Sequence, residues 1–116
     1  MQPMELVKAA ADILDSKKAL DIVAIHTTEQ TILSDYFVIA SATSTTHLKA
    51  LGDELEFEMK QRHGLYPKGV EGRASGWVLL DYGTVLVHLF LKDQREYYNL
   101  ERLWEDSEKL MLNTED

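Results

Sequence analysis

Apolar residues recur along this chain at two different spacings, and the changes between them mark out its elements. Pro3 suits a first helical position, and Leu6, Ala10, Ile13 and Leu14 then share one face, so the spacing predicts an amphipathic helix over residues 3 to 16. "ALDIVAIHT" follows with apolar residues on both faces, and predicts a strand over residues 20 to 27. After the polar, turn-like "TEQTILSD", the run "YFVIAS" predicts a second strand at 36 to 41. The hydroxyls of "ATSTT" offer helix N-caps, and Leu48, Leu51, Leu55 and Met59 then stand at helical spacing. That helix should end at Gly64, since Lys60, Arg62 and His63 occupy its last turn and Gly64 fits a left-handed cap. Gly52 in its middle costs about 1 kcal/mol relative to Ala, which points to close packing there.

"LYPKGVEGRASG" is rich in turn formers and has room for one short strand around Val70. "GWVLLDYGTVLVHLF" then predicts a hairpin with strands at 76 to 81 and 84 to 91, joined through Tyr82 and Gly83. Regular alternation places Trp77, Leu79 and Asp81 on one face and Val78, Leu80 and Tyr82 on the other. Asp93 to Trp104 reads as a last helix, with Asp93 as N-cap, Glu96 completing a box, and Tyr97, Leu100, Leu103 and Trp104 on one stripe. Residues 106 to 116 read as a frayed acidic tail beyond a core of about 4 to 105. The order α, β, β, α, three strands, α predicts a single α/β domain with a mixed sheet of about five strands packed with helices.

Composition narrows the possible functions. With 116 residues, 45% hydrophobic and 28% charged, the chain is long and apolar enough to bury its own core. It contains no Cys, so disulfides and thiolate metal sites are excluded, and a reducing cytoplasm fits. Glu5 and Lys8 interrupt the start where a signal peptide needs an apolar core, and no run reaches the roughly 18 to 20 residues of a membrane span, so no membrane association is expected. A net charge of −8 disfavours direct reading of nucleic acid and suits a basic partner, although solubility alone can account for an acidic surface.

Chemistry is sparse. His26, His47, His63 and His88 show no metal-ligand spacing, and His88, in register with Leu86 and Phe90, reads as a packed or interface histidine. Ser41 and Ser44 lack a nucleophile-elbow context, and "GRASG" is neither a Walker loop nor a dinucleotide fingerprint. The strongest enzymatic alternative is a nucleotidyltransferase or nucleotide-binding protein. It would need paired strand carboxylates holding two metals about 4 Å apart. Only Asp21 and Asp81 lie on strands, and the Glu54, Glu56 and Glu58 run lies on a helix. No enzyme, metal or cofactor is therefore expected. What remains is surface, where Trp77 suits either the core or the centre of an interface.

"SDYFVIASATS" at 34 to 44, "KGVEGRASGWVLLDYGTVLVHLF" at 68 to 90 and "REYYNLERLW" at 95 to 104 together resemble the ribosomal silencing factor family, also called Iojap-like or RsfS proteins. The resemblance runs in order over nearly the whole domain. It implies a nucleotidyltransferase-like shape without the catalytic carboxylates. It also implies a translation repressor that binds the large ribosomal subunit through its protein fourteen, blocks joining of the small subunit when nutrients run short, and forms homodimers when free. Carried onto this chain, it makes Trp77 an apolar anchor and Asp81 an acceptor for Lys or Arg. Tyr82 and Gly83 stand at the hairpin tip, Glu71 and Arg73 come just before the hairpin, and Tyr98, Glu101 and Trp104 join from the last helix. Two positions depart from the family pattern: Ala42 replaces a Gly, and Thr84 replaces an Asp at the tip.

Overall fold

The computed structural model describes residues 1–27, 35–72, 75–103 and 109–111, of which 101, 103 and 109–111 are described by backbone alone. The chain begins with α1 (Pro3–Ser16), whose first turn is closed by the Glu5 carboxylate accepting the Gln2 N–H at 2.8 Å. Strands β1 (Leu20–His26) and β2 (Tyr36–Ala42) follow, then α2 (Thr45–His63). The Ser44 hydroxyl accepts the His47 N–H at the start of α2, and Gly64 ends it with φ 65°. Of the hydroxyls offered by the sequence, the one at Ser44 is the cap. β3 (Gly69–Glu71), β4 (Trp77–Asp81) and β5 (Val85–Leu91) come next.

The sheet order is β3-β4-β5-β2-β1-β6, where β6 (Lys109–Met111) pairs antiparallel with β1. Five strands match the expected sheet; the sixth arises within the segment read as a frayed tail. A three-residue strand is too short to show alternation, so nothing in its pattern announced it. β2 and β5 run parallel in register from Tyr36 opposite Val85 to Ala42 opposite Leu91, and the other pairings are antiparallel. β1 is irregular between Leu20 and Val23, where Asp21 has φ 51°, a left-handed conformation that Asp tolerates better than most residues.

The hairpin turn lies one residue later than expected. Tyr82 N–H donates to the Val85 carbonyl at 2.9 Å, so Gly83 and Thr84 are the central residues, with the positive φ (87°) at the first of them, as in a type II′ turn.

The last helix also differs. α3 (Lys92–Tyr98) is followed by Asn99 in the left-handed region (φ 48°) and then α4 (Leu100–Leu103). No side chain caps α3, its N-cap residue is Leu91 rather than Asp93, and Tyr97 is 80% exposed instead of lying on a buried stripe. Asn accepts the left-handed conformation at low cost, which lets the helical path break while the apolar spacing continues.

α1 and α2 both pack on one face of the sheet. Leu6, Val7, Ala10, Ile13 and Leu14 from α1 and Leu48, Leu51, Leu55 and Met59 from α2 meet Val38, Ala40, Val78, Leu80, Val87 and Leu89 there. α3 and α4 lie on the other face, where Val23, Ile25, Ile39 and Phe90 form a second, smaller cluster with Leu100 against it. The Arg95 guanidinium ties α3 down by donating to the Asp21 carbonyl at 2.8 Å and the Ser41 hydroxyl at 2.9 Å.

Gly52 is buried, but a Cβ there would meet Val78 Cγ1 at 3.7 Å, an ordinary contact. The packing therefore does not require glycine, contrary to the sequence expectation. Gly52→Ala should stabilise the fold by up to about 1 kcal/mol, read as a higher denaturant midpoint with unchanged slope.

Candidate functional site

The hairpin β4–β5 has one face under the helices and one that is only partly covered. Val78 and Leu80 are buried beneath the helices, whereas Trp77, Leu79 and Asp81 are half-buried on the opposite face. Parallel and antiparallel pairing set their neighbours. Leu79 lies opposite His88, which lies opposite Ile39; Asp81 lies opposite Leu86, which lies opposite Phe37. Trp77, Leu79, Leu86 and Phe37 are all half-buried, so they form an apolar surface that reaches solvent. Leu79, Leu86 and Phe37 were absent from the residues carried over by resemblance. The alternation in "WVLLD" already put Leu79 on the face of Trp77, but only the strand order shows that Leu86 and Phe37, from "VLVHLF" and "YFVIA", share that face.

Trp77 is held by rings. Its indole stacks on Phe90 at 5.0 Å and packs against Tyr98 at 4.6 Å between ring centroids. Its Nε1–H donates to His88 Nδ1 at 3.1 Å. His88 is buried, with Phe37 packed on it at 4.6 Å, and its Nε2 has no hydrogen-bond partner among the described residues. Burial, which penalises the imidazolium, lowers the His88 pKa from the ordinary 6.5 to about 4.

The rim is largely acidic. Glu71 is exposed on β3 opposite Leu79. Asp81 Oδ1 accepts the Gly83 N–H at 2.8 Å and so braces the turn, while its second oxygen takes no part in that bond. Lys68 lies beside Gly83, so the tip carries one cation as well. Tyr98 is 46% exposed and extends the aromatic surface. Tyr82 does not belong to this surface: it lies on the helix-covered face, 9% exposed, because alternation turns it with Leu80 rather than Asp81. Its phenol is held well above the usual pKa range by burial and then by the Glu56 charge. Glu101 lies in α4, and Arg73 and Trp104 fall outside the described residues.

Two other histidines make local contacts away from this face. His47 accepts the Thr43 N–H at Nδ1 and meets the Lys17 carbonyl through Nε2, and His26 stacks on Tyr36 at 4.8 Å. Asp21 and Asp81 stand on β1 and β4 with two strands between them, which alone puts them about 14 Å apart. Two carboxylates holding a metal pair need to approach within a few ångströms of each ion. Among the described residues no three His, Cys, Asp or Glu are grouped to hold a metal ion. None of the described helices is long and apolar enough to cross a membrane.

Fold and face together define a mixed-sheet α/β domain whose hairpin offers solvent a half-open apolar surface with an acidic rim. The chain belongs to the family described as "Ribosomal silencing factor during starvation", which it matches over residues 1–116. It is 38% identical over 113 residues to the ribosomal silencing factor RsfS of Halalkalibacterium halodurans, covering 97% of this chain and 96% of that one. It is 33% identical over 113 residues to the chloroplastic protein Iojap of Arabidopsis thaliana, covering 97% of this chain but 45% of that longer protein. A crystal structure of a protein from Chromobacterium violaceum superposes with a TM-score of 0.86 at 32% identity, covering 99% of this chain and 95% of the other. The expected family and fold class are thus shown.

Because His88 has a lower pKa folded than unfolded, the unfolded chain binds more protons between pH 6.5 and 4. The neutral histidine's contribution is therefore fully present above pH 6.5 and is lost as pH falls toward 4, on the order of 3 kcal/mol in all. Denaturation midpoints measured across this window should fall more steeply for the wild-type protein than for His88→Leu.

Proposed function

We propose that this protein binds the large ribosomal subunit through its protein fourteen, a basic protein on the face that meets the small subunit. Occupying that face keeps the subunits apart and lowers translation when nutrients are scarce. The observation that carries this reading is the half-open surface of Trp77, Leu79, Leu86 and Phe37 beside Glu71 and Asp81. An apolar centre with an aromatic anchor and a charged rim is the composition of a protein interface, and the acids suit a basic partner. The net charge of −8 further suits a basic ribosomal protein better than RNA. The names of the relatives support the ribosome as the target. Such a protein works in the cytoplasm, catalyses no reaction and holds no cofactor. When free, two copies can cover the same apolar face.

A second reading has one observation in its favour. β2 and β5 are adjacent and parallel, yet α2 leaves β2 for one face and α3 leaves β5 for the other. The crevice at such a divergence, here lined by Ser44, Thr45, Lys92 and Gln94, is where open α/β sheets take nucleotides. Nucleotide with Mg²⁺ should leave the melting temperature unchanged; a saturable rise would move the assignment to this reading.

The ribosome reading is tested by sedimenting the protein with isolated large subunits at low salt, where it should pellet with them and reduce their association with small subunits. Trp77→Ala should keep its circular dichroism spectrum and lose about 2 kcal/mol of binding, roughly 30-fold in affinity. An unfolded variant would instead assign Trp77 to the core.

A further inference from the structure

We infer that His88 is a positioning residue for the proposed interface: its Nδ1 takes the Trp77 indole N–H inward, so that Trp77 offers a partner only the apolar part of its ring. The inference rests on the assignment of this face as the contact surface.

Hydrogen bonding fixes the tautomer. Nδ1 accepts from Trp77 Nε1 at 3.1 Å and so carries a lone pair, and the buried neutral ring must then carry its hydrogen on Nε2. That Nε2–H has no acceptor among the described residues. A buried N–H left unmade is a stability cost, and an apolar side chain in its place does not carry that cost. Packing therefore does not call for histidine at this position. It is surrounded by Phe37, Trp77 and Phe90 at ring-centroid distances of 4.6, 5.8 and 6.3 Å, neighbours that a leucine fits as well.

What the histidine supplies is an acceptor beneath the surface. Trp77 and His88 are diagonal neighbours, because Trp77 pairs with Phe90, two residues along β5. Without Nδ1, the indole N–H must turn toward solvent to be satisfied, which puts a polar edge into the apolar patch and breaks its stacking on Phe90. With Nδ1, the patch is apolar at its centre, and charged recognition lies at the rim, with Glu71, Asp81 and the cation Lys68. A partner of matching chemistry places an aliphatic or aromatic side chain against Trp77 and its cations at those two acids, with no acceptor facing the indole.

Two variants and a cycle test this. His88→Leu removes the acceptor, and His88→Asn retains one at the equivalent side-chain position. The Trp77 indole cross-peak in ¹H–¹⁵N spectra, assigned by its loss in Trp77→Phe, should shift and exchange faster with solvent in His88→Leu, but much less in His88→Asn. Affinity for large subunits should fall about tenfold in His88→Leu, recover in large part in His88→Asn, and fall less than about twofold when His88→Leu is added to Trp77→Phe. Equal losses in both backgrounds, an unmoved cross-peak, wild-type binding by His88→Leu, or its failure to fold near neutral pH would each overturn the inference. If the wild-type protein does not bind large subunits, the ribosome reading falls, and the His88–Trp77 coupling is judged by the cross-peak alone.

Discussion

The parallel pairing of β2 with β5 governs this structure. Both strands are apolar on both faces, with Val38, Ala40, Val87 and Leu89 turned one way and Ile39 and Phe90 the other. Strands of this kind need cover on two sides. The two long helices, α1 and α2, both serve one side. The other side is left to the short α3 and α4, which cover it near Phe90 and Leu100 but leave the hairpin end half-open. The surface proposed for partner binding is thus the portion of a two-faced sheet that the described helices do not cover.

The same arrangement explains why this surface is shaped by side chains one layer down. Trp77 is steadied from below by Phe90, from beside by Tyr98 and at its polar edge by His88. Asp81 is steadied by the turn amide of Gly83. Side chains whose conformations are fixed before a partner arrives lose less entropy when it docks. The turn needs no acid at Thr84, because Asp81 already supplies the carboxylate that accepts the Gly83 amide.

Much of this was legible in the sequence where a local signal has a local cause. Pro3, the hydroxyls of "ATSTT" and Gly64 mark helix ends through backbone geometry and capping that those residues favour, and both long helices follow those marks. The alternation in β4 correctly separated Trp77 and Asp81 from Tyr82, although the resemblance drew Tyr82 to the hairpin tip, where its burial removes it from the surface. Features that depend on pairing were not legible. The His88–Trp77 bond and the presence of Phe37 and Leu86 in the patch follow from strand order and register, which no window of residues contains. The break at Asn99 was hidden because apolar spacing runs on through it, and β6 because three residues carry no period.

The β2–β5 register also sets an order of events in synthesis. Tyr36 pairs with Val85, a separation of 49 positions (85 − 36), so the centre of the sheet cannot close until nearly the whole domain has left the ribosome. Until then α1, β1, β2 and α2 can gather locally, with the β2 edge that β5 will occupy still unpaired. Domains with such long-range closures fold late and expose sticky intermediates while they wait. The nascent chain therefore emerges with an open apolar edge and acquires its outward hairpin surface only as its last third appears.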